Sequence, residues 1–102
     1  KLPSELRTLG EGAFEGCLSL KTVNLGKCTK LESIGGAAFK EAAISEITVP
    51  ASVVSMGELV FNLNKVDLTI HCEASERQSG WHSDWSYSYK QGVTITVECK
   101  NS

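Results

Sequence analysis

The sequence predicts an α/β repeat: a short right-handed solenoid with parallel strands on one face and short helical or irregular segments on the other. A cassette recurs three times, as Leu6-Arg7-Thr8-Leu9-Gly10-Glu11-Gly12-Ala13-Phe14, Leu31-Glu32-Ser33-Ile34-Gly35-Gly36-Ala37-Ala38-Phe39 and, more loosely, Val53-Val54-Ser55-Met56-Gly57-Glu58-Leu59-Val60-Phe61. Its constant parts are an aliphatic residue, two spacers, a second aliphatic, Gly, two spacers, a small or aliphatic residue, and Phe. The phenylalanines are 25 and then 22 residues apart, within the period range of solenoid repeats. After each cassette the chain alternates between apolar and polar residues, the mark of a half-buried strand. A coil of this length has one apolar edge and cannot bury it alone, so successive coils must stack.

Taken in order, the chain opens at Lys1-Leu2-Pro3-Ser4, which reads like the tail of an earlier repeat (compare Val49-Pro50-Ala51-Ser52). The first repeat is therefore expected to be truncated, with any targeting signal upstream. Gly10, Gly35 and Gly57 stand where each coil turns sharply into a one- or two-turn helical segment carrying Phe14, Phe39 or Phe61. Stacking at the strand spacing of ~4.8 Å would pile these rings into one column. Leu20, Val23 and Leu25 then follow the L-x-x-L-x-L spacing of a leucine-rich repeat strand, with Cys28 in the following bend. The second copy gives Ile44, Ile47 and Val49, ended by Pro50. The third runs from Val66 to Glu73, with Val66, Leu68, Ile70 and Cys72 facing inward.

Alignment of Val23, Ile47 and Leu68, and of Leu25, Val49 and Ile70, stacks Asn24, Thr48 and Thr69 into one outward row. It puts Thr22, Glu46 and Asp67 into a second, partly acidic row. From Ala74 the cassette stops. Residues 1–73 are thus read as about three leucine-rich repeats, and residues 74–102 as a C-terminal cap. The cap comprises a polar loop from Ala74 to Gly80, a Trp-rich segment with Trp81 and Trp85 as lid, and a final strand over Val93–Cys99. An end cap is needed because the last coil of a solenoid exposes both its apolar end and its strand edge.

Leu31-x-x-Ile34-Gly35-x-x-Ala38-Phe39, Cys17 placed three residues beyond Phe14, and Val49-Pro50 leading into the next copy resemble the BspA-type leucine-rich repeat. Ile70-His71-Cys72-Glu73-Ala74 followed by Gly80-Trp81-His82-Ser83-Asp84-Trp85 resembles the C-terminal unit after such arrays. The third copy departs from the pattern, with Leu59-Val60 for the small pair and Asn64 for the cysteine. The resemblance implies a cell-surface or secreted protein with a non-enzymatic, adhesin-like role toward a protein or other macromolecular partner.

Composition adds exclusions. The 102 residues include 41% hydrophobic and 22% charged side chains with a formal net charge of −2, which gives no electrostatic reason to expect nucleic acid. No apolar run approaches the ~20 residues of a membrane span. The expected partner surface is the outward strand face, Thr22, Asn24, Glu46, Thr48, Asp67 and Thr69, since solenoids line up many modest contacts on such faces. The plainer reading of the same residues is a solvated strand surface.

No metal site and no cofactor are expected. His71 and Cys72 point to opposite faces, and His82 with Asp84 supplies only two ligands. A catalytic thiolate needs access and an activating charge, whereas Cys17, Cys28, Cys72 and Cys99 all read as inward. Cys72 and Cys99 are the fourth inward residues of their strands, so parallel neighbours in register would bring the sulfurs within bridging reach. Either a disulfide or a pair of buried thiols fits. The rival functions are a structural spacer or cap, an accessory tail of a larger surface enzyme, and glycan stacking by Trp81, Trp85, Tyr87 and Tyr89. Leu2, Leu6 and Leu9 at the open N-terminal end also suggest end-to-end self-association.

Overall fold

A computed structural model describes residues 5–73 and 80–99. Within them are eight short strands: β1 (Thr8–Leu9), β2 (Thr22–Asn24), β3 (Ser33–Ile34), β4 (Glu46–Val49), β5 (Ser55–Met56), β6 (Leu68–Cys72), β7 (Gly80–Trp81) and β8 (Ile95–Cys99). Alternate strands join alternate sheets, giving two four-stranded sheets ordered β1-β3-β5-β7 and β2-β4-β6-β8. All pairings are parallel. The chain therefore makes about four turns of a β-solenoid, each turn giving one strand to each sheet. Of the polar loop expected from Ala74 to Gly80, residues 74–79 lie outside the described residues, as does Leu2 of the expected end contact, and Gly80 stands in β7 instead.

The expected helical segments are replaced by a third side of the solenoid, and no helix occurs among the described residues. A helix would send every N–H back along its own chain. Here alternate residues do something else. Gly12, Phe14 and Gly16 donate to the carbonyls of Gly36, Ala38 and Lys40 in the next turn, at 3.1, 2.6 and 2.7 Å. Between them Ala13, Glu15 and Cys17 donate back three residues to Gly10, Gly12 and Phe14. The second turn repeats this pattern, with Ala37, Phe39 and Glu41 donating to Glu58, Val60 and Asn62. Left-handed residues reverse the peptide direction and make the alternation possible. They are Gly12 and Gly16 in the first turn, Ala37 and Glu41 in the second, and Leu59 and Leu63 in the third.

The core lies between the two sheets and this turn ladder. Phe14, Phe39 and Phe61 do form one column, with ring centroids 5.3 and 5.5 Å apart and planes within 9° and 8° of parallel. Trp85 continues it edge-on at 6.3 Å from Phe61. Trp81 is the register partner of Met56 and so extends the column of Leu9, Ile34 and Met56. Its indole N–H donates to the carbonyl of Val53 at 3.1 Å. Residues 80–85 thus occupy the cassette position of a fourth turn, and Leu59 N–H donates to Asp84 O at 3.0 Å as its counterpart Ala37 donates to Glu58 O one turn earlier.

The cassette glycines owe their place to stacking rather than to a left-handed turn, since Gly10, Gly35 and Gly57 are not among the positive-φ glycines. A Cβ on Gly35 would stand 2.5 Å from the backbone nitrogen of Glu11, and one on Gly57 2.4 Å from that of Gly36. The same atom on Gly10 meets nothing within 4 Å. Glycine lets one turn's backbone lie directly on the previous one.

The register of the third strand also departs from expectation. Ile47 pairs with Ile70 and Thr48 with His71, so β6 is displaced by two residues from the alignment of Ile47 with Leu68. Val66 falls outside the strand and is 40% exposed. The final strand likewise begins at Ile95 rather than Val93. A two-residue slip keeps every side chain on its own face, so alternation cannot detect it. The path from Phe to the strand can: Phe14 to Val23, Phe39 to Ile47 and Phe61 to Ile70 are nearly equal in length.

Candidate interaction face

The outward side of the sheet β2-β4-β6-β8 carries two rows. One runs Thr22, Glu46, Thr69, Thr96, and the other Asn24, Thr48, His71, Glu98. Strand alternation fixes them: Val23, Ile47, Val49, Leu68, Ile70 and Cys72 face the core, leaving the intervening residues outside. Thr22, Asn24, Glu46, Thr96 and Glu98 are exposed, while Thr48, Thr69 and His71 are half-buried by their neighbours.

Of the residues expected on this face, Thr22, Asn24, Glu46, Thr48 and Thr69 are there. Thr69, however, joins the row of Thr22 and Glu46 rather than that of Asn24 and Thr48. Asp67 is on neither row. It precedes β6, and its Oδ1 accepts the backbone N–H of Thr94 at 2.9 Å, ahead of β8. The two-residue slip accounts for both changes. It also brings in His71 and Glu98, which the alternation alone did not select. His71 Nε2 is 3.3 Å from Glu46 Oε2 and its Nδ1 3.6 Å from Glu98 Oε1, so the imidazole lies between carboxylates of the two flanking strands. Asn24 turns its Oδ1 to the N–H of Gly26 at 2.8 Å, which bends the chain out of β2.

The family model for the BspA-type leucine-rich repeat region, written as six copies, matches residues 1–79. The chain belongs to the BspA-type leucine-rich repeat family. Comparison with curated proteins and with solved structures returned no match. Membership in the BspA-type family points to a protein-interaction module, since leucine-rich repeat domains are generally non-enzymatic and BspA-type repeats are typical of surface or secreted proteins.

Within the BspA-type repeat, the third-copy departure at Asn64 has a structural answer. Cys17, Ala42 and Asn64 share the position three residues beyond Phe. Asn64 is fully buried, accepts the N–H of Ile44 at 3.0 Å, and donates to the carbonyls of Ile44 and Val66 at 2.8 and 2.7 Å. Leu59, in place of a small residue, holds the left-handed position at φ 54°.

The BspA-type chain's remaining candidates separate in space. His71 is half-exposed and Cys72 buried on the opposite face of β6. His82 Nδ1 accepts the N–H of Asp84 at 3.0 Å and its Nε2 lies 3.5 Å from Glu58. Among the described residues no group of three or more His, Cys, Asp or Glu could hold a metal ion. Trp81 and Trp85 are 1% and 4% exposed, so neither can stack on a sugar. Of the aromatic cluster only Tyr87 and Tyr89 reach the surface, at 53% and 63% exposure, edge-to-face at 5.0 Å. At the N-terminal end Leu9 is buried, and Leu6 is half-buried against the core.

Proposed function

We propose that this chain is a non-enzymatic interaction module of a cell-surface or secreted protein, binding a protein partner along the outward face of β2-β4-β6-β8. The observation that carries the reading is the register: four parallel strands align hydroxyls, an amide and carboxylates into two straight rows. His71 stands between Glu46 and Glu98 within them. A partner segment that presents Lys or Arg and hydrogen-bond donors complements these rows. The residues are held by backbone hydrogen bonds before contact, so little ordering entropy opposes binding. In this reading residues 80–99 close the array, with Trp81 and Trp85 covering the third turn.

The test uses beads coated with the chain and presented to cultured cells and to purified extracellular-matrix proteins. Thr48→Arg with Thr69→Arg fills the face without entering the core. It is expected to lower capture at least ~10-fold, as interface charge placed against a basic partner does. Thr8→Arg with Ser55→Arg, on the other sheet, is expected to leave capture unchanged. Equal loss from both pairs, or from neither, favours the structural-spacer reading. A second reading rests on the exposed Tyr87 and Tyr89, which could stack on a saccharide. Capture of a glycan array that disappears in Tyr87→Ala with Tyr89→Ala would support it in place of the strand face.

A further inference from the structure

We propose that Cys72 and Cys99 form a disulfide that fastens the outermost strand to the solenoid. Three observations converge. The two residues are register partners in the β6–β8 pairing, at its last position. Paired Cα atoms of neighbouring parallel strands stand ~4.8 Å apart, inside the ~4.4–6.8 Å range that disulfides span. Both side chains point to the core side of the sheet, as Leu68, Ile70 and Ile95 do. The two sulfurs are not bridged in the structure, and β8, which ends its sheet among the described residues, has to shift toward β6 to bring the two Cβ atoms to bonding separation. Cys17 and Cys28 offer no such arrangement: Cys17 follows the Phe column on the turn ladder, whereas Cys28 sits beyond β2.

The bridge has a task. β8 covers the fully buried Leu68 and Ile70, yet its own Val97 is 38% exposed. An edge strand with a half-open inner face has few apolar contacts of its own and is the first to fray. Joining its last residue to β6 would hold Thr96 and Glu98 in the two outward rows, whether or not those rows bind a partner.

The chemistry is thiol–disulfide exchange with a small-molecule disulfide such as oxidised glutathione. Half-buried Cys99 is the accessible group. Its thiolate attacks one sulfur of the oxidant, forms a mixed disulfide and releases one small thiol. Cys72, deprotonated, then attacks the Cys99 sulfur and expels the second small thiol. Two protein thiols and one small disulfide become one protein disulfide and two small thiols, with no electron or proton unaccounted for.

The experiment takes the 102-residue chain through an oxidised and a reduced glutathione buffer, then unfolds it and alkylates it with iodoacetamide. After oxidation, labelling at Cys17 and Cys28 only, with a linked peptide pairing Cys72 and Cys99, is expected. Amide hydrogen exchange at Ile95–Cys99 should slow at least ~10-fold on oxidation, since closing the strand by a covalent bond suppresses its local opening. Cys99→Ser should abolish that slowing, and Cys17→Ser should leave it. Labelling of all four cysteines after oxidation, a link through Cys17 or Cys28, or unchanged exchange in β8 would each overturn the proposal. The peptide map uses the unaltered sequence, so it decides the matter even where a serine variant folds poorly.

Discussion

Asn64 shows how much one side chain does in so thin a coil. It takes the N–H of Ile44 and gives to two carbonyls with no exposure to water. Asn64→Ala would strand these three backbone groups, and each buried orphan costs about 1–3 kcal/mol. A loss of about 3 kcal/mol by urea unfolding is expected, a large share of the about 5–15 kcal/mol that holds a domain together. The glycines give a sharper contrast. Gly57→Ala drives a methyl into the backbone of Gly36, an overpacking expected to cost at least about 2 kcal/mol. Gly10→Ala meets open space and should shift stability by no more than about 0.5 kcal/mol. Equal effects at the two positions would mean that the glycines serve local turn geometry after all. The periodic glycines were legible in the sequence, but their reason was not. Close approach is a property of two turns, and a single cassette displays only one.

At the scale of elements, the strands were legible because alternation is a local signal: Thr22-Val23-Asn24 and Leu68-Thr69-Ile70-His71-Cys72 declare their faces unaided. The turn ladder was not. The spacing of Gly, Ala and Phe suits a helical turn equally well, and what decides against helix is the destination of alternate N–H groups in the neighbouring turn. The fourth turn hid for another reason. Trp81 and Trp85 replace Met and Phe and break the residue pattern, although Met56 to Trp81 and Phe61 to Trp85 keep the period of 25 and 24 residues. The aromatic column itself carries a prediction. Phe39→Ala opens a cavity between two stacked rings and is expected to cost about 3–5 kcal/mol. Phe14 has one ring neighbour and is half-buried, so Phe14→Ala should cost about half as much. The two midpoints in denaturant, compared side by side, check this.

The whole molecule measures about 32 × 28 × 20 Å, and its outward strand face is narrow. Four strands at ~4.8 Å span only ~15 Å and the two rows stand ~7 Å apart, a footprint on the order of 100 Å², well under the ~800 Å² per partner of a stable interface. The isolated chain is therefore expected to bind weakly in solution and firmly when many copies are displayed together, since linked sites multiply affinity without new contacts. Surface plasmon resonance with the chain immobilised densely and then sparsely would show it, with apparent affinity falling at least ~100-fold at low density. A density-independent affinity would place binding on a compact site elsewhere, with the Tyr87 and Tyr89 pair as first candidate. Part of the face could be read from the sequence, because parity alone put Thr22, Asn24, Glu46, Thr48 and Thr69 outside. Which residues share a row depends on register, and parity is blind to a slip of two. Both outward rows depend on that register. NMR of the labelled chain tests it most directly, through amide-to-Hα contacts across β4 and β6. The account predicts contacts that pair Thr48 with His71 and Ile47 with Ile70; contacts that pair Thr48 with Thr69 and Ile47 with Leu68 would contradict it.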